Sequence, residues 1–197
     1  SEKVSEEASK DLLLTQKTLL NRINYLEFRL QFVKDKDWNR RWAARDFCMA
    51  DNLKWLSKNI YKDEKLIIIG HNFHIARYNE KEAVMGEFLK EDYDEEMYAL
   101  GIFGGEGSYS NNSGKKKIMT PPDSNHLDIK HIIGQLKGRG NFINIPKEPK
   151  PGANWLFEKI IVNDSFIDLS SSNQLILAKH YDGILLIDKV SQPRKGE

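Results

Sequence analysis

The 197-residue chain contains a single cysteine, Cys48, so no disulfide can form within it. Scarce cysteine is typical of proteins from reducing compartments, and we therefore expect a cytoplasmic protein. Cys48 lies between Phe47 and Met49, in an apolar stretch. A thiol in such surroundings packs as a small hydrophobe and is a poor nucleophile. The sequence thus favours a core role for Cys48 over cysteine-based catalysis.

Neither an excess of charge nor a long apolar run is present. The 30 lysine and arginine residues nearly balance the 29 aspartate and glutamate residues, which leaves a net charge of +1. This balance argues against nucleic acid or an anionic membrane as a partner. No apolar segment approaches the roughly 20 residues of a membrane-spanning helix. The polar start at 1–7 is unlike a signal peptide and has no initiating methionine, so we expect a processed chain or an excised fragment.

Three familiar site motifs are also missing. The chain has no G-x-S-x-G, the turn that carries the nucleophile of many serine hydrolases. The glycines and lysines between Gly104 and Lys116 do not fit the phosphate-binding spacing G-x-x-x-x-G-K-S/T. There is no H-E-x-x-H, and His71 and His74 have no third zinc ligand at a recognised spacing. We therefore expect no bound metal and no nucleotide or other cofactor.

Apolar residues at helical spacing predict two helices at the start of the chain. The first covers about residues 6–34, and the second runs from Trp42 to Ile60. In each helix the apolar residues recur every three or four positions and so form one stripe. We expect these helices to form a hairpin, a subdomain that covers 1–62.

Downstream of the hairpin, helical segments alternate with short apolar runs, which is typical of α/β proteins. We expect a mainly parallel sheet with flanking helices over 63–192 and a frayed tail at 193–197. Gly104–Ser108 should close the second strand, and a long polar loop should follow it to Pro122. The predicted strands are Leu66–Ile69, Met97–Phe103, Phe142–Ile145 and Gly183–Ile187, and the predicted helices are Glu82–Lys90 and Ser124–Leu136.

The most informative motif is Gly70-His71-Asn72-Phe73-His74, which follows directly on the first predicted strand. In open α/β sheets, ligands bind beyond the carboxyl ends of the strands, so these polar side chains stand where chemistry is expected. His71 and His74 are close enough in sequence to face one cavity if the loop turns into a helix. The alternative is that both histidines only terminate the strand. We take His71, Asn72 and His74 as candidate site residues.

Two further residues are candidates. Glu106 is flanked by glycines that let the backbone approach a ligand, and its carboxylate could orient a histidine or transfer a proton. The alternative is a loop carboxylate in water. Arg45 borders a tryptophan-rich helix and either projects into a cleft or is a surface charge. The roles of three other histidines stay open: His126, His131 and His180.

Several pieces of the chain together resemble the erythromycin esterase family, which includes succinoglycan biosynthesis protein-like members. The resemblance is specific as a set, because the pieces occur in unbroken order from about 41 to 187. They are Arg45-Asp46-x-x-Met49-Ala50-x-Asn52-Leu53-x-Trp55-Leu56, Gly70-His71-Asn72-x-His74, Met85-Gly86, Tyr98-Ala99-Leu100-Gly101, Gly105-Glu106-Gly107-Ser108 and Tyr181-Asp182-Gly183-Ile184.

The resemblance implies a hydrolase that cleaves carboxylic esters or lactones without a metal, through a water molecule activated by a histidine. Opening of macrolide lactones, an antibiotic-resistance activity, is one branch of the family. The activating histidine belongs to an N-terminal Gly-Glu-x-x-His-type motif, and this chain contains no Glu-x-x-His. We therefore expect the chain to be the C-terminal half of such an enzyme, with the N-terminal half of the same protein as its partner.

By the same resemblance, His71, His74 and Glu106 would support catalysis, whereas Arg45 and Asn72 would contact the ester or lactone substrate. The histidines would hold the substrate carbonyl or water, Asn72 would position a loop or donate a hydrogen bond, and Glu106 would fix a histidine tautomer. The alternative is a non-catalytic domain that binds a small ligand or a partner protein. The missing Glu-x-x-His favours this alternative, and the complete histidine loop favours the enzyme.

Overall fold

A computed structural model describes residues 2–36, 38–111, 113–124, 127–165 and 174–192, with only the backbone described at 2–6, 32, 35 and 38–42. His126 and the tail predicted at 193–197 lie outside the described residues. The chain divides into two units. Unit 1 comprises Ser1–Gly70 and Asn79–Glu95, and unit 2 comprises His71–Tyr78 and Glu96–Glu197.

Four helices open the described part of the chain, and strands and short helices follow them. The helices are α1 (Glu2–Asp35), α2 (Trp38–Asn59), α3 (Asn72–Ile75), α4 (Met85–Tyr93), α5 (Ile129–Gln135) and α6 (Leu177–His180), with a short 3₁₀ helix at Asn154–Phe157. The strands are β1 (Leu100–Ser110), β2 (Lys116–Ile118), β3 (Gly140–Asn144), β4 (Lys159–Ile161), β5 (Gln174–Ile176) and β6 (Gly183–Val190).

In unit 1, α1 and α2 form the predicted helical hairpin. The aromatic rings of Phe28 on α1 and Phe47 on α2 meet edge to face, with centroids 5.9 Å apart. Phe47 also contacts Phe88 of α4, at 5.5 Å between centroids. Small and flexible side chains on α2 and at the start of α4 fill the core of this unit, because they let the helices approach closely. They are Ala44, Cys48, Ala50, Val84 and Met85.

The run Leu66–Ile69, predicted as a buried strand, lies outside the strands of the described residues, and that prediction was wrong for this chain. The side chains of Ile67 and Ile69 are 89% and 93% exposed. A β-branched sequence favours a strand only where a neighbouring strand supplies hydrogen bonds and buries a face. In the described part of the chain no strand pairs with this run, so its apolar side chains face solvent.

Unit 2 contains a four-stranded sheet in the order β2-β1-β6-β3, and β4 and β5 form a separate pair. β1 and β6 run parallel, whereas β2 and β3 pair with them antiparallel. The α/β class is thus confirmed, but the sheet is mixed and not mainly parallel. β2 is antiparallel to β1 because only a short loop joins the two strands, and a short loop can only reverse the direction of the chain. Phe103, Ile184 and Leu186 of the central strands are fully buried.

Strand β1 continues through the glycine-rich segment that was expected to close it. A Cβ at Gly105 would meet the backbone oxygen of Asp188 at 2.8 Å, so this glycine allows β1 and β6 to approach closely. Gly107 has φ +122, a conformation that other residues rarely adopt. The glycines therefore serve a close strand pairing, and Glu106 lies within β1 and not in a loop after it.

Candidate functional site

His71 begins the candidate site by capping the short helix α3. Its backbone is extended, and its ring Nδ1 accepts a hydrogen bond from the backbone N–H of Phe73 at 3.2 Å. A ring nitrogen that accepts a hydrogen bond carries no proton, so the proton of the neutral ring is on Nε2. The backbone thereby fixes the tautomer of His71, and Nε2–H can donate to a ligand.

The surroundings of His71 favour its neutral form. Partial burial of the ring, and then the nearby imidazole of His74, lower the pKa of His71 below its usual range. The residue as a whole is nonetheless exposed to solvent. A neutral imidazole is the form that donates one hydrogen bond and accepts another, as general acid–base and carbonyl-binding chemistry requires.

The protonation of His71 should be measurable by NMR. We expect its imidazole to titrate below the ordinary histidine value of about 6.5. Because the folded protein binds this proton less tightly than the unfolded chain does, stability should fall as the pH drops below that value. His74→Ala should raise the pKa of His71, since one of the two causes is removed. A titration midpoint above the ordinary value would contradict the assignment.

His74 lies on α3, one turn after His71, and is half-buried. Its ring meets that of Phe73 edge to face, with centroids 5.1 Å apart at 80°. The backbone N–H of His74 donates to the carbonyl oxygen of His71 at 2.9 Å, so one helical turn holds the two residues together. The structure thus brings together the two histidines that the sequence paired.

Asn72 ties this loop to the sheet. Its side-chain Nδ2 donates to the carbonyl oxygens of Ile102, at 2.7 Å, and of Ser165, at 2.8 Å. Its Oδ1 accepts from the backbone N–H of Ile102 at 3.0 Å. The amide is buried and three of its hydrogen-bonding positions are filled, so this geometry favours loop positioning. A contact of Asn72 with substrate stays a prediction.

Tyr181 forms a hydrogen bond to the backbone of the same loop. Its hydroxyl donates to the backbone oxygen of Asn72 at 3.1 Å, and its ring packs against Phe103 with centroids 5.7 Å apart. Burial raises the pKa of Tyr181 well above its usual value, so the hydroxyl remains a donor. Sequence reasoning assigned no role to Tyr181, although its place in the motif Tyr181-Asp182-Gly183-Ile184 was a signal.

Arg77 anchors the exit of the loop. Its Nε lies 2.6 Å from Oδ2 of Asp182, and its backbone N–H donates to the carbonyl of His180. Asp182 also accepts from the backbone N–H of Ala99 at 2.7 Å, which joins the loop exit to the start of β1. Sequence analysis did not single out Arg77, because nothing local distinguishes it from a surface arginine.

Glu106 pairs with a lysine of the neighbouring strand. Its Oε1 lies 2.6 Å from Nζ of Lys189, and both side chains are largely exposed. The carboxylate, by hydrogen bond and by charge, raises the pKa of Lys189. Glu106 lies four residues after Ile102, the residue of β1 that Asn72 contacts. A role for Glu106 toward His71 or His74 stays a prediction.

Arg45 belongs to unit 1, so its relation to the histidine loop also stays a prediction. Its Nε lies 3.5 Å from Oδ1 of Asp46. Asp46 is buried, and its Oδ2 accepts from the backbone N–H of Met85 at 2.9 Å. The residue before α4, Val84, offers no side-chain cap, and Asp46 takes over that function from another helix.

The two other histidines that the structure describes, His180 and His131, have backbone carbonyls as partners. His180 is buried, with Nδ1 2.8 Å from the carbonyl oxygen of Ile176. His131 is exposed on α5, with Nε2 3.0 Å from the carbonyl oxygen of Asp123. Across the described residues, no three histidine, cysteine, aspartate or glutamate side chains are placed to hold a metal ion. None of the described helices is long and apolar enough to cross a membrane.

The fold and site define an α/β domain with a paired-histidine loop fixed to its sheet. Residues 2–190 match the family model of erythromycin esterase. Because the match covers nearly the whole chain, the chain belongs to the erythromycin esterase family. It is also 24% identical over 161 residues to the Bacillus subtilis (strain 168) protein named putative hydrolase YbfO. That match covers 75% of this chain and 35% of the relative, so the chain spans about a third of the relative's length.

Solved structures show the same fold. A Bacillus cereus protein is 25% identical, with a TM-score of 0.65 over 78% of this chain and 40% of its own. A succinoglycan biosynthesis protein has a TM-score of 0.64 at 22% identity, over 79% of this chain and 40% of its own. A mutant of the erythromycin esterase EreC in its open conformation has a TM-score of 0.56 at 16% identity, over 86% of this chain and 42% of its own.

Proposed function

We propose that this chain carries the histidine loop of a hydrolase that cleaves carboxylic esters or lactones. The observation that carries the proposal is His71, a histidine with a lowered pKa whose tautomer is fixed by the backbone, with the ring proton on Nε2. Asn72 fixes the loop to β1, which provides the rigid placement that catalysis needs. Membership of the erythromycin esterase family supports the same chemistry.

In this proposal His71 and His74 bind the carbonyl oxygen of the ester. A water molecule attacks the carbonyl carbon, and the negative charge that develops on the oxygen is stabilised by N–H donors already in place. The carbon–oxygen bond of the ester then breaks, and the leaving alkoxide takes the proton that the attacking water gave up. A histidine outside this chain removes the proton from the attacking water, since the chain has no Glu-x-x-His of its own.

The rest of such an enzyme is supplied by another segment, which we propose to be the N-terminal half of the same protein. The three solved relatives are each covered over no more than 42% of their length. The exposed run Leu66–Ile69, shortly before His71, supports this view because it offers a neighbouring strand an apolar segment whose backbone pairs with no strand of the described residues. The lone cysteine supports a cytoplasmic setting.

The proposal is tested with the protein encoded by the full reading frame that contains this chain. Hydrolysis of p-nitrophenyl butyrate and of erythromycin is followed for the parent protein, His71→Ala and His74→Ala. Loss of one oxyanion-stabilising donor lowers kcat on the order of 100-fold. Lys54→Gln, which removes the Lys54–Asp92 ion pair of unit 1, is the matched control and should leave kcat unchanged. An inactive parent that still binds a ligand through His71 would favour a non-catalytic binding domain.

A further inference from the structure

A buried ion pair lies behind the histidine loop. Lys130 of α5 and Asp164, in the turn after β4, have side chains that are only 1% and 2% exposed, and Nζ lies 2.6 Å from Oδ2. Nζ of Lys130 also donates to the carbonyl oxygen of Thr120 at 2.7 Å and to its hydroxyl at 3.0 Å. The three N–H groups of the ammonium thus have three acceptors.

The carboxylate of Asp164 is held just as firmly. Its Oδ2 accepts from the backbone N–H of Thr120 at 2.8 Å and from the hydroxyl at 2.7 Å. Its backbone has φ 65, a left-handed conformation that is uncommon outside glycine. The ion pair therefore holds a turn in a conformation that the chain would rarely adopt by itself.

That turn supplies one of the partners of Asn72. Ser165 follows Asp164 directly and is buried, and its carbonyl oxygen accepts from Nδ2 of Asn72 at 2.8 Å. Asn72 then bonds to Ile102 of β1 and begins α3, the helix that His71 caps. A continuous series of bonds leads from Lys130 through Asp164, Ser165 and Asn72 to the histidines.

We propose that the Lys130–Asp164 pair is a positioning device that orients the His71–His74 loop through Ser165 and Asn72. Its catalytic consequence rests on the proposed function, whereas the geometric link can be tested without it. Burying an ion pair gains little stability over well-packed apolar residues, because both charges lose their hydration. The many hydrogen bonds of this pair are therefore better explained by a role in fixing the geometry of the turn than by a gain in stability.

The test variant is K130M/D164N, which removes both charges while asparagine tolerates the left-handed backbone. Ile133→Ala is the matched control, since Ile133 is another buried residue of α5 and lies outside the series of hydrogen bonds. Asn72→Ala, which breaks the last link, is the positive control. Thr120→Val removes the hydroxyl bonded to both charges and serves if the double variant does not fold.

Imidazole NMR titrations of His71 and His74 in this chain give the first readout. We expect K130M/D164N and Asn72→Ala to move the His71 midpoint toward the ordinary histidine value, and Thr120→Val to move it less. Ile133→Ala should leave it unchanged. An unaltered His71 midpoint in the folded double variant would overturn the proposal. If the double variant does not fold, an unaltered midpoint in Thr120→Val would overturn it.

Turnover of p-nitrophenyl butyrate by the full-length protein gives the second readout. K130M/D164N should lower kcat about tenfold with little change in KM, an effect of the size seen when groups that orient site residues are removed. A loss of the same size in Ile133→Ala would mean that lower stability alone is responsible and would overturn the proposal. If the His71 midpoint moves while the parent protein hydrolyses no ester, the positioning link stands and the proposed function fails.

Discussion

The protein encoded by the full reading frame is expected to hydrolyse p-nitrophenyl butyrate about 100 to 10,000 times faster than the 197-residue chain alone. In the proposed function His71 and His74 hold the carbonyl and stabilise charge, but attack by water also needs a general base within hydrogen-bond reach. Loss of such a base lowers the rate about 100- to 10,000-fold. Initial rates of both proteins at equal concentration provide the measurement, and equal rates would show that the chain contains its own base.

A single substitution separates this explanation from a simple loss of stability. Ile69 is 93% exposed, so Ile69→Asp should leave the melting temperature of the isolated chain unchanged. In the full-length protein, the same change would place a charge in the run Leu66–Ile69, which we propose is covered by the N-terminal half. Burying an unpaired carboxylate is costly, and activity should therefore fall together with stability. Unchanged activity there would mean that this run stays exposed.

The features that the sequence predicted well are those determined by neighbouring residues. The helical hairpin follows from apolar spacing within each helix, and Gly183–Ile187 is a buried strand because its own residues are apolar. The grouping of His71 with His74 is local too, since one short helix turn brings them together. Even the tautomer of His71 depends on the backbone of Phe73, two positions away.

The features that the sequence did not predict depend on distant partners. Gly105 suggested the end of a strand, but it lies within β1 because the backbone of Asp188 on β6 approaches there. Leu66–Ile69 has the composition of a strand but no pairing neighbour in the described part of the chain. α5 begins after Asp128, whose side chain caps it by accepting from Lys130, and not at Ser124 as predicted. Composition carries no information about which distant backbone will meet a residue.

In the site too, the residue types could be recognised from the sequence, whereas their distant partners could not. Asn72 was recognised from its neighbours, but its partners Ile102 and Ser165 are 30 and 93 positions away. Lys130 and Asp164 are 34 positions apart, and each alone has the composition of a surface charge. Charged side chains are rarely fully buried, so the residue type alone assigns both of them to the surface.

Lys130→Met is expected to lower the free energy of unfolding of this chain by about 3 kcal/mol, the lower end of the range for breaking a buried ion pair. The substitution leaves the carboxylate of Asp164 buried with no cation, although two donors from Thr120 remain and reduce the loss. The exposed pair Glu106–Lys189 is the matched control. Lys189→Met should change stability by less than about 1 kcal/mol, because solvent already hydrates both of these charges.

Urea denaturation of the unsubstituted chain, Lys130→Met, Asp164→Asn, K130M/D164N and Lys189→Met measures these differences. The double variant K130M/D164N should be more stable than Lys130→Met, since the second change removes the carboxylate that the first left without its cation. Removing two interacting groups together costs less than the sum of their separate losses, and the difference is their coupling free energy. A double variant as unstable as the sum of the single variants would mean that the two charges do not act as a pair. The 2.6 Å separation and nearly complete burial of both side chains predict the opposite, a strong coupling.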